Sequence, residues 1–260
     1  IELNTNQNYM LKDSLTEVDK FTGLLGSNIP PSPDDFIPVD NSNRGTRFWV
    51  GYGHNQGMET TAGQDMVLYL GTDDQAAVVT VSINGTSWSR TYNIPANTVI
   101  TSDIIPASGL DDARLRDEGL YERGIKIVSD VDITAYAHIY AGSNSGATLL
   151  LPVGTYGYEY YALTSRQNYA SNTFSWFYVI ADRDNTLVEI TPSKPTKGGR
   201  PAGVPFQVTL NKGEVYQVMG AIISGSDGYD LTGSKVKSIA NADGDCHPWG
   251  SVVFPMPPGP

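Results

Sequence analysis

The chain of 260 residues holds a single cysteine, Cys246, so no disulfide closes within it and its fold must rest on burial and backbone hydrogen bonding. Basic residues are scarce as well: 17 Lys and Arg stand against 28 Asp and Glu, a formal net charge of −11. A surface of that sign is repelled by phosphate backbones and anionic lipid, which argues against nucleic acid or a membrane surface as partner. No apolar run approaches the roughly 20 residues that span a bilayer. The opening "IELNTNQNYM" has neither the basic start nor the apolar centre of a signal peptide, and with no initiating methionine the chain is expected to be soluble and already processed. Common catalytic signatures are missing too. There is no G-x-S-x-G elbow, no H-E-x-x-H helix and no phosphate-cradling loop, and the glycine-rich "KGGRPAG" (197–203) opens no helix and reads as a hairpin. An enzyme is not expected.

What is abundant is Thr, Ser, Asn, Gly and Tyr, with only 17% of residues charged, a composition suited to short strands joined by polar turns. Residues 1–44 form a separate segment. Leu11, Leu15, Val18, Phe21 and Leu24 recur at helical spacing, then Pro30, Pro31, Pro33 and Pro38 enforce extended chain, so this stretch reads as an arm. From Gly45 onward come β-branched and aromatic runs such as "FWVGY", "DMVLYLGT", "AVVTVSI", "SRTYNI", "TVITSDI", "GIKIVS" and "ITAYAHIY", divided by Gly, Asn, Pro or Asp. "LDDARLRDEGL" is the only helix candidate among them and reads equally well as a loop.

The series occurs twice. "RFWVGYGHNQ" (47–56) matches "EYYALTSRQN" (159–168), and "VLYLGTDDQAAVVTVSI" (67–83) matches "FYVIADRDNTLVEITPS" (177–193). "RTYNIPANTVI" (90–100) matches "FQVTLNKGEVYQV" (206–218), and "GLYERGIKIVS" (119–129) matches "YDLTGSKVKSI" (229–239). Four blocks recurring in one order predict an all-β fold of two tandem related, jelly-roll-like β-sandwiches. The expected divisions are an arm (1–44), a first sandwich (45–150) and a second (151–260) with a proline-rich tail. "ATLLLPV" at the boundary is apolar enough to be buried between the two.

Together "GTRFWVGYGHNQ", "QDMVLYLGTDDQAAVVTVSINGTSWSRTYNIPANTVITS", "ITAYAHIYAGSNSGATLLLPVGTYGYEYYAL" and "TLVEITPSKPTKGGRPAGVPFQVTLNKGEVYQV" resemble the IgGFc-binding-protein N-terminal domain family, in its Bacteroidetes surface-protein form, over about residues 45–248. The resemblance implies an extracellular β-rich module near the start of a long adhesin-like or mucin-like protein, often one with a C-terminal sorting domain. It does not imply immunoglobulin binding. "HPWGSVVFPMPPGP" departs from the family pattern, so surface anchoring is not carried over.

Candidate sites follow from residue type. Asp243 and Asp245 in "NADGDC", Asp182 and Asp184 in "DRDN", and the turns "GTDD" and "SDGYD" alternate oxygen ligands in a way that suits calcium, although Asx-rich turns also bond their own backbone. No other cofactor is expected. Trp88, Tyr158, Tyr160 and Trp176 are taken as exposed aromatics for glycan binding. Alternation in "AYAHIY" sets Tyr136, His138 and Tyr140 on one face, either a domain interface or a platform for sugars. His54 aligns with Arg166 and reads as a polar turn residue. His247 beside Cys246 lacks the further ligands of a metal site, and Cys246 itself reads as buried and inert, with pairing to another subunit as the alternative. Ser14 in "DSL" resembles the Asp-Ser/Thr-apolar sequence that Bacteroidetes O-glycosylate, and "NGT" (84–86) is explained as a hairpin turn. Glu59, Glu118, Glu122, Glu159 and Glu214 are the carboxylates a glycosidase would draw on.

The expected function is a non-enzymatic, secreted or surface-displayed structural or adhesion module that assembles with itself through the arm. A carbohydrate- or glycoprotein-binding module is the alternative, and a glycosidase the second alternative.

Overall fold

Alternation of buried and solvated side chains decides where strands form. In β3 (Ala77–Ile83) the residues Ala77, Val79, Val81 and Ile83 point one way and are buried, and in β11 (Thr186–Thr191) Thr186, Val188 and Ile190 do the same. The computed structural model describes residues 43–59, 64–141 and 144–249, which belong to one compact unit, Val39–Pro260. The fold is all-β, and its helical content among the described residues is confined to 3-10 turns such as Gly109–Asp111 and Val153–Thr155. The "LDDARLRDEGL" segment is therefore not an α-helix: after its first turn it runs irregularly past the buried Leu115 and enters a short strand at Gly119. The predicted arm, apart from its last two residues, and the proline-rich tail lie outside the described residues.

The first half is built on β7 (Ile125–Ala141), where the sequence suggested two strands. Its beginning pairs with β1 (Gly45–Val50) and β3, and its end pairs with β2 (Asp65–Gly71) and β8 (Asn144–Leu149). Odd-numbered residues from Ile125 to Ile139 face inward throughout, so Asp130 and Asp132, which look like punctuation, merely fall on the solvent side. β4 (Ser89–Ile94) extends the first group beyond β3, and β5 (Val99–Thr101) extends the second beyond β2. Both groups send their inner residues into one core: Phe48, Val81, Ile94 and Ile127 from one, Met66, Leu68, Leu70 and Ala135 from the other. Burial of this kind is worth about 1.5–3 kcal/mol per large apolar side chain.

In the second half β11 lies between β12 (Phe206–Leu210) and β16 (Lys235–Ser238), and β9 (Glu159–Tyr161) closes the other edge of β16. β10 (Trp176–Ile180) pairs with β13 (Val215–Met219). Phe177, Val179, Val188, Ile190, Leu210, Val218, Val236 and Trp249 form the core between them. A short pair, β14 (Ile222–Ser224) and β15 (Asp227–Gly228), follows β13.

The halves are joined through a shared sheet. β6 (Gly119–Tyr121), from the first half of the sequence, pairs along the free edge of β13. All five residues of β10 are buried, because one face of that strand covers the second core and the other is covered by the first half. That explains why "WFYVI" is continuously apolar. The linker does not fill the junction as expected: Leu150 enters the first core and Val153 reaches the junction, but Leu149 and Leu151 are exposed.

Candidate functional site

The segment "TRFWVGYGH" builds the first half's side of the junction. Phe48, Val50 and Tyr52 point into the first core, so Arg47, Trp49, Gly51 and Gly53 must point the other way. The indole nitrogen of Trp49 donates to Asp182 at 2.7 Å, and the guanidinium of Arg47 donates to the same carboxylate at 2.9 Å. The rings of Trp176 and Tyr178, stacked 5.9 Å apart, lie against the backbone of Gly53 and Gly51. A Cβ on Gly53 would sit 2.1 Å from the Trp176 ring, so the close approach requires glycine. The Gly51 N–H donates to the Tyr178 hydroxyl at 2.8 Å. Gln217 completes the seam: its Oε1 accepts the His54 N–H, and its Nε2 donates to the carbonyls of Leu115 and Asp117.

His54 is therefore buried in the junction, which corrects its reading as a polar turn residue. Its ring meets the edge of Phe174 at 5.2 Å, and Lys197 covers Phe174 while pairing with Asp117 at 2.8 Å. Burial, reinforced by the Lys197 charge, pulls its pKa down to about 4. Arg166, which the sequence aligned with it, makes an exposed ion pair with Asp227 instead.

The other candidates do not converge. Trp88 and Trp176 are 8% and 5% exposed, and Tyr160 packs on Trp249, which corrects the expectation of an exposed aromatic set; only Tyr158 is open to solvent. Trp88 enters the first core just before β4, Tyr160 faces the second core and Trp176 the junction, where an aromatic contributes most by burial. Asp182 is spent on Arg47 and Trp49. Asp184 accepts the Lys212 N–H, and Asp243 accepts from the Asn185 side chain. The "NADGDC" turn is organised by the Asn241 amide, whose oxygen takes the N–H groups of Asp243 and Asp245 at 2.9 Å each. Among the described residues no three His, Cys, Asp or Glu are grouped as metal ligands. Glu118 accepts from Thr196 and the Met219 N–H, Glu159 pairs with Lys235, and Glu214 accepts the Asn211 N–H. Cys246 is exposed, against the expectation of burial, because its loop lies beyond the last strand. Ser14 and the side chain of Glu59 lie outside the described residues.

One solvated face does gather aromatic and polar groups. On the outer side of β2, β7 and β8, His138 bonds the Tyr69 hydroxyl through Nδ1 at 3.0 Å and the Ser145 hydroxyl through Nε2 at 2.7 Å. Tyr69 stacks on the imidazole at 5.6 Å and Tyr140 meets it at 5.1 Å, while Tyr136 and Leu149 stand exposed beside them. The junction is built elsewhere, so of the two readings of "AYAHIY" the domain interface is corrected. Stacked rings flanked by donors and acceptors are the chemistry that holds a pyranose. Alternation found His138, Tyr136 and Tyr140; Tyr69 and Ser145 came only from the register of neighbouring strands.

The second half carries the decisive likeness. Residues 146–243 match the family model of the IgGFc binding protein. The stretch matched to the IgGFc binding family contains Asp182, Trp176, Tyr178 and Gln217, which is the second half's side of the junction. Comparison with curated proteins and with solved structures gave no match. No helix among the described residues is long and apolar enough to cross a membrane.

Proposed function

We propose that the chain is a non-enzymatic, extracellular structural or adhesion module of a bacterial cell surface of the Bacteroidetes kind. The observation that carries this reading, beside the family match, is the junction. Its aromatic rings, its glycines and Asp182 are all spent on welding two cores into one body, as suits a load-bearing module. The paired strands support a tandem duplication. β3 pairs with β4 and β7 as β11 pairs with β12 and β16, β7 pairs with β1 as β16 pairs with β9, and β2 pairs with β5 as β10 pairs with β13. We read each half as one sandwich module, 45–150 and 151–260, preceded by the arm 1–44.

The working partner in this reading is a surface glycan or glycoprotein taken on the Tyr69–Tyr136–His138–Tyr140 face. A glycan and glycoprotein array probes it: binding that disappears with Tyr136→Ala supports the reading, and an array blank with the intact protein removes it. Assembly through the arm is a separate element, checked by deleting residues 1–40 and following oligomer size. A glycosidase would turn over chromogenic glycosides and lose that turnover on replacement of one glutamate.

A further inference from the structure

Strand register lays out the outer side of β5, β2, β7 and β8 as a grid. Thr101, Tyr69, Tyr136 and Leu149 form one row across the strands, Val67, His138 and Ala147 the next, and Asp65, Tyr140 and Ser145 the third. Rows lie about 6.6 Å apart along a strand, and neighbouring strands about 4.8 Å apart. Side-chain size varies sharply over this grid. His138 is braced in the middle row: Tyr69 stacks on it at 5.6 Å, Tyr140 meets it at 5.1 Å, and its two ring nitrogens bond the hydroxyls of Tyr69 and Ser145. Beside it Ala147 contributes a single methyl group and is open to solvent. That methyl is the floor of a hollow bounded by His138, by Tyr136 and Leu149, and by Ser145. The fourth side is open, since β8 pairs only with β7 among the described residues.

The same face is nearly devoid of charge. On β2, β5, β8 and the part of β7 from Ile133 onward, the only Asp, Glu, Lys or Arg is Asp65, and the next along β7 is Asp132. One base comes near the Asp65 end: Arg114, like Asp65 close to Tyr52, is largely buried and forked onto Asp112 at 2.7 and 2.8 Å. What surrounds the hollow is hydroxyls, from Ser145, Tyr69, Tyr136 and Tyr140, together with ring faces and the Leu149 side chain. A hydroxyl both donates and accepts, as the hydroxyls of a sugar do, whereas a carboxylate or sulfate calls for guanidinium or ammonium groups. With Asp65, Asp132 and a formal net charge of −11, the face repels anions.

We propose that the hollow over Ala147 seats one ring of an uncharged glycan, so that the module selects neutral sugars and rejects uronic, sialic and sulfated ones, a step that rests on reading this face as the glycan site. The C–H side of the ring lies on Tyr136 and Leu149, which are 39% and 37% exposed, and its hydroxyl edge meets Ser145. Ala147 sets the size of the seat and is the specificity-determining position. A larger side chain there fills the hollow without entering a core, because Ala147 points outward with Ser145 and Leu149. Tyr69 and Tyr140 are positioning residues, holding the imidazole that walls the hollow.

A glycan array of matched pairs, each neutral glycan beside its carboxylated or sulfated counterpart, tests this with the full chain. Neutral members should bind, and their acidic counterparts should bind at least about tenfold more weakly. Ala147→Leu should abolish binding of the neutral members, and Ala147→Gly should keep it. Ala147→Thr, which suits a strand, takes the place of the leucine variant if that one fails to fold. Equal or stronger binding of the acidic members, or Ala147→Leu binding like the parent, would overturn the proposal while leaving a glycan site that still answers to Tyr136→Ala. Binding to a glycoprotein that persists after its sugars are removed would overturn it too, in favour of a protein partner. An array blank with the intact protein removes the glycan reading itself, and the selectivity with it.

Discussion

Trp49 donates its indole N–H to Asp182 at 2.7 Å, joining residues 133 positions apart across the junction. Asp182 is buried and also receives Arg47, so replacing it by Ala strands an indole donor and half of an ion pair. The expected cost is about 2–3 kcal/mol, somewhat below that of a fully buried pair because Arg47 is partly solvated. Chemical denaturation monitored by tryptophan fluorescence checks the size, and an unchanged midpoint would remove Asp182 from the seam's energetics.

Gly53→Ala should destabilise by about 1–3 kcal/mol, because its Cβ meets the Trp176 ring and that ring lies between two halves that cannot part locally. The double mutant with Trp176→Ala should cost less than the sum of the single changes, the signature of a direct contact. Additive costs would place the strain elsewhere.

His54 makes stability depend on pH. Its folded-state pKa, about 4, lies below the value near 6.5 of the unfolded chain, so the unfolded state takes up the proton first. The stabilisation is present in full above about pH 6.5 and is lost as pH falls toward 4; between pH 7 and 5 it amounts to on the order of 2 kcal/mol. His54→Gln should flatten that part of the stability profile. If the parent and the variant lose stability in parallel over this range, His54 is not the group responsible.

Cys246 should react with a thiol reagent in the native protein at one equivalent and at a rate unaffected by mild denaturant, since it is exposed. Labelling that appears only on unfolding would return it to the interior.

The β-strand content was legible in the sequence because a strand with one wet face must alternate, and β3, β7 and β11 do so residue by residue. The aligned blocks are less reliable: 67–83 on 177–193 and 119–129 on 229–239 are each one residue out of step with the inward faces, since Leu68 and Phe177 enter the cores, as do Ile127 and Val236. What alternation cannot say is what covers the second face. Trp88 and Trp176 look like surface aromatics in sequence; the structure buries one under its own sheet and the other under a different half of the chain. His54 was misjudged for the same reason, since its environment is Phe174, Lys197 and Gln217, all more than a hundred residues away.

By itself, then, the sequence determined the strands and the turns between them, because these depend on period and on neighbours a few residues apart. Tertiary structure decided that β6 leaves its own half to complete the other's sheet and that glycines 51 and 53 serve as seats for two rings. It also decided which aromatic face stays in water. Those outcomes depend on which surfaces meet, and the free energy of that meeting comes from contacts far apart in the chain.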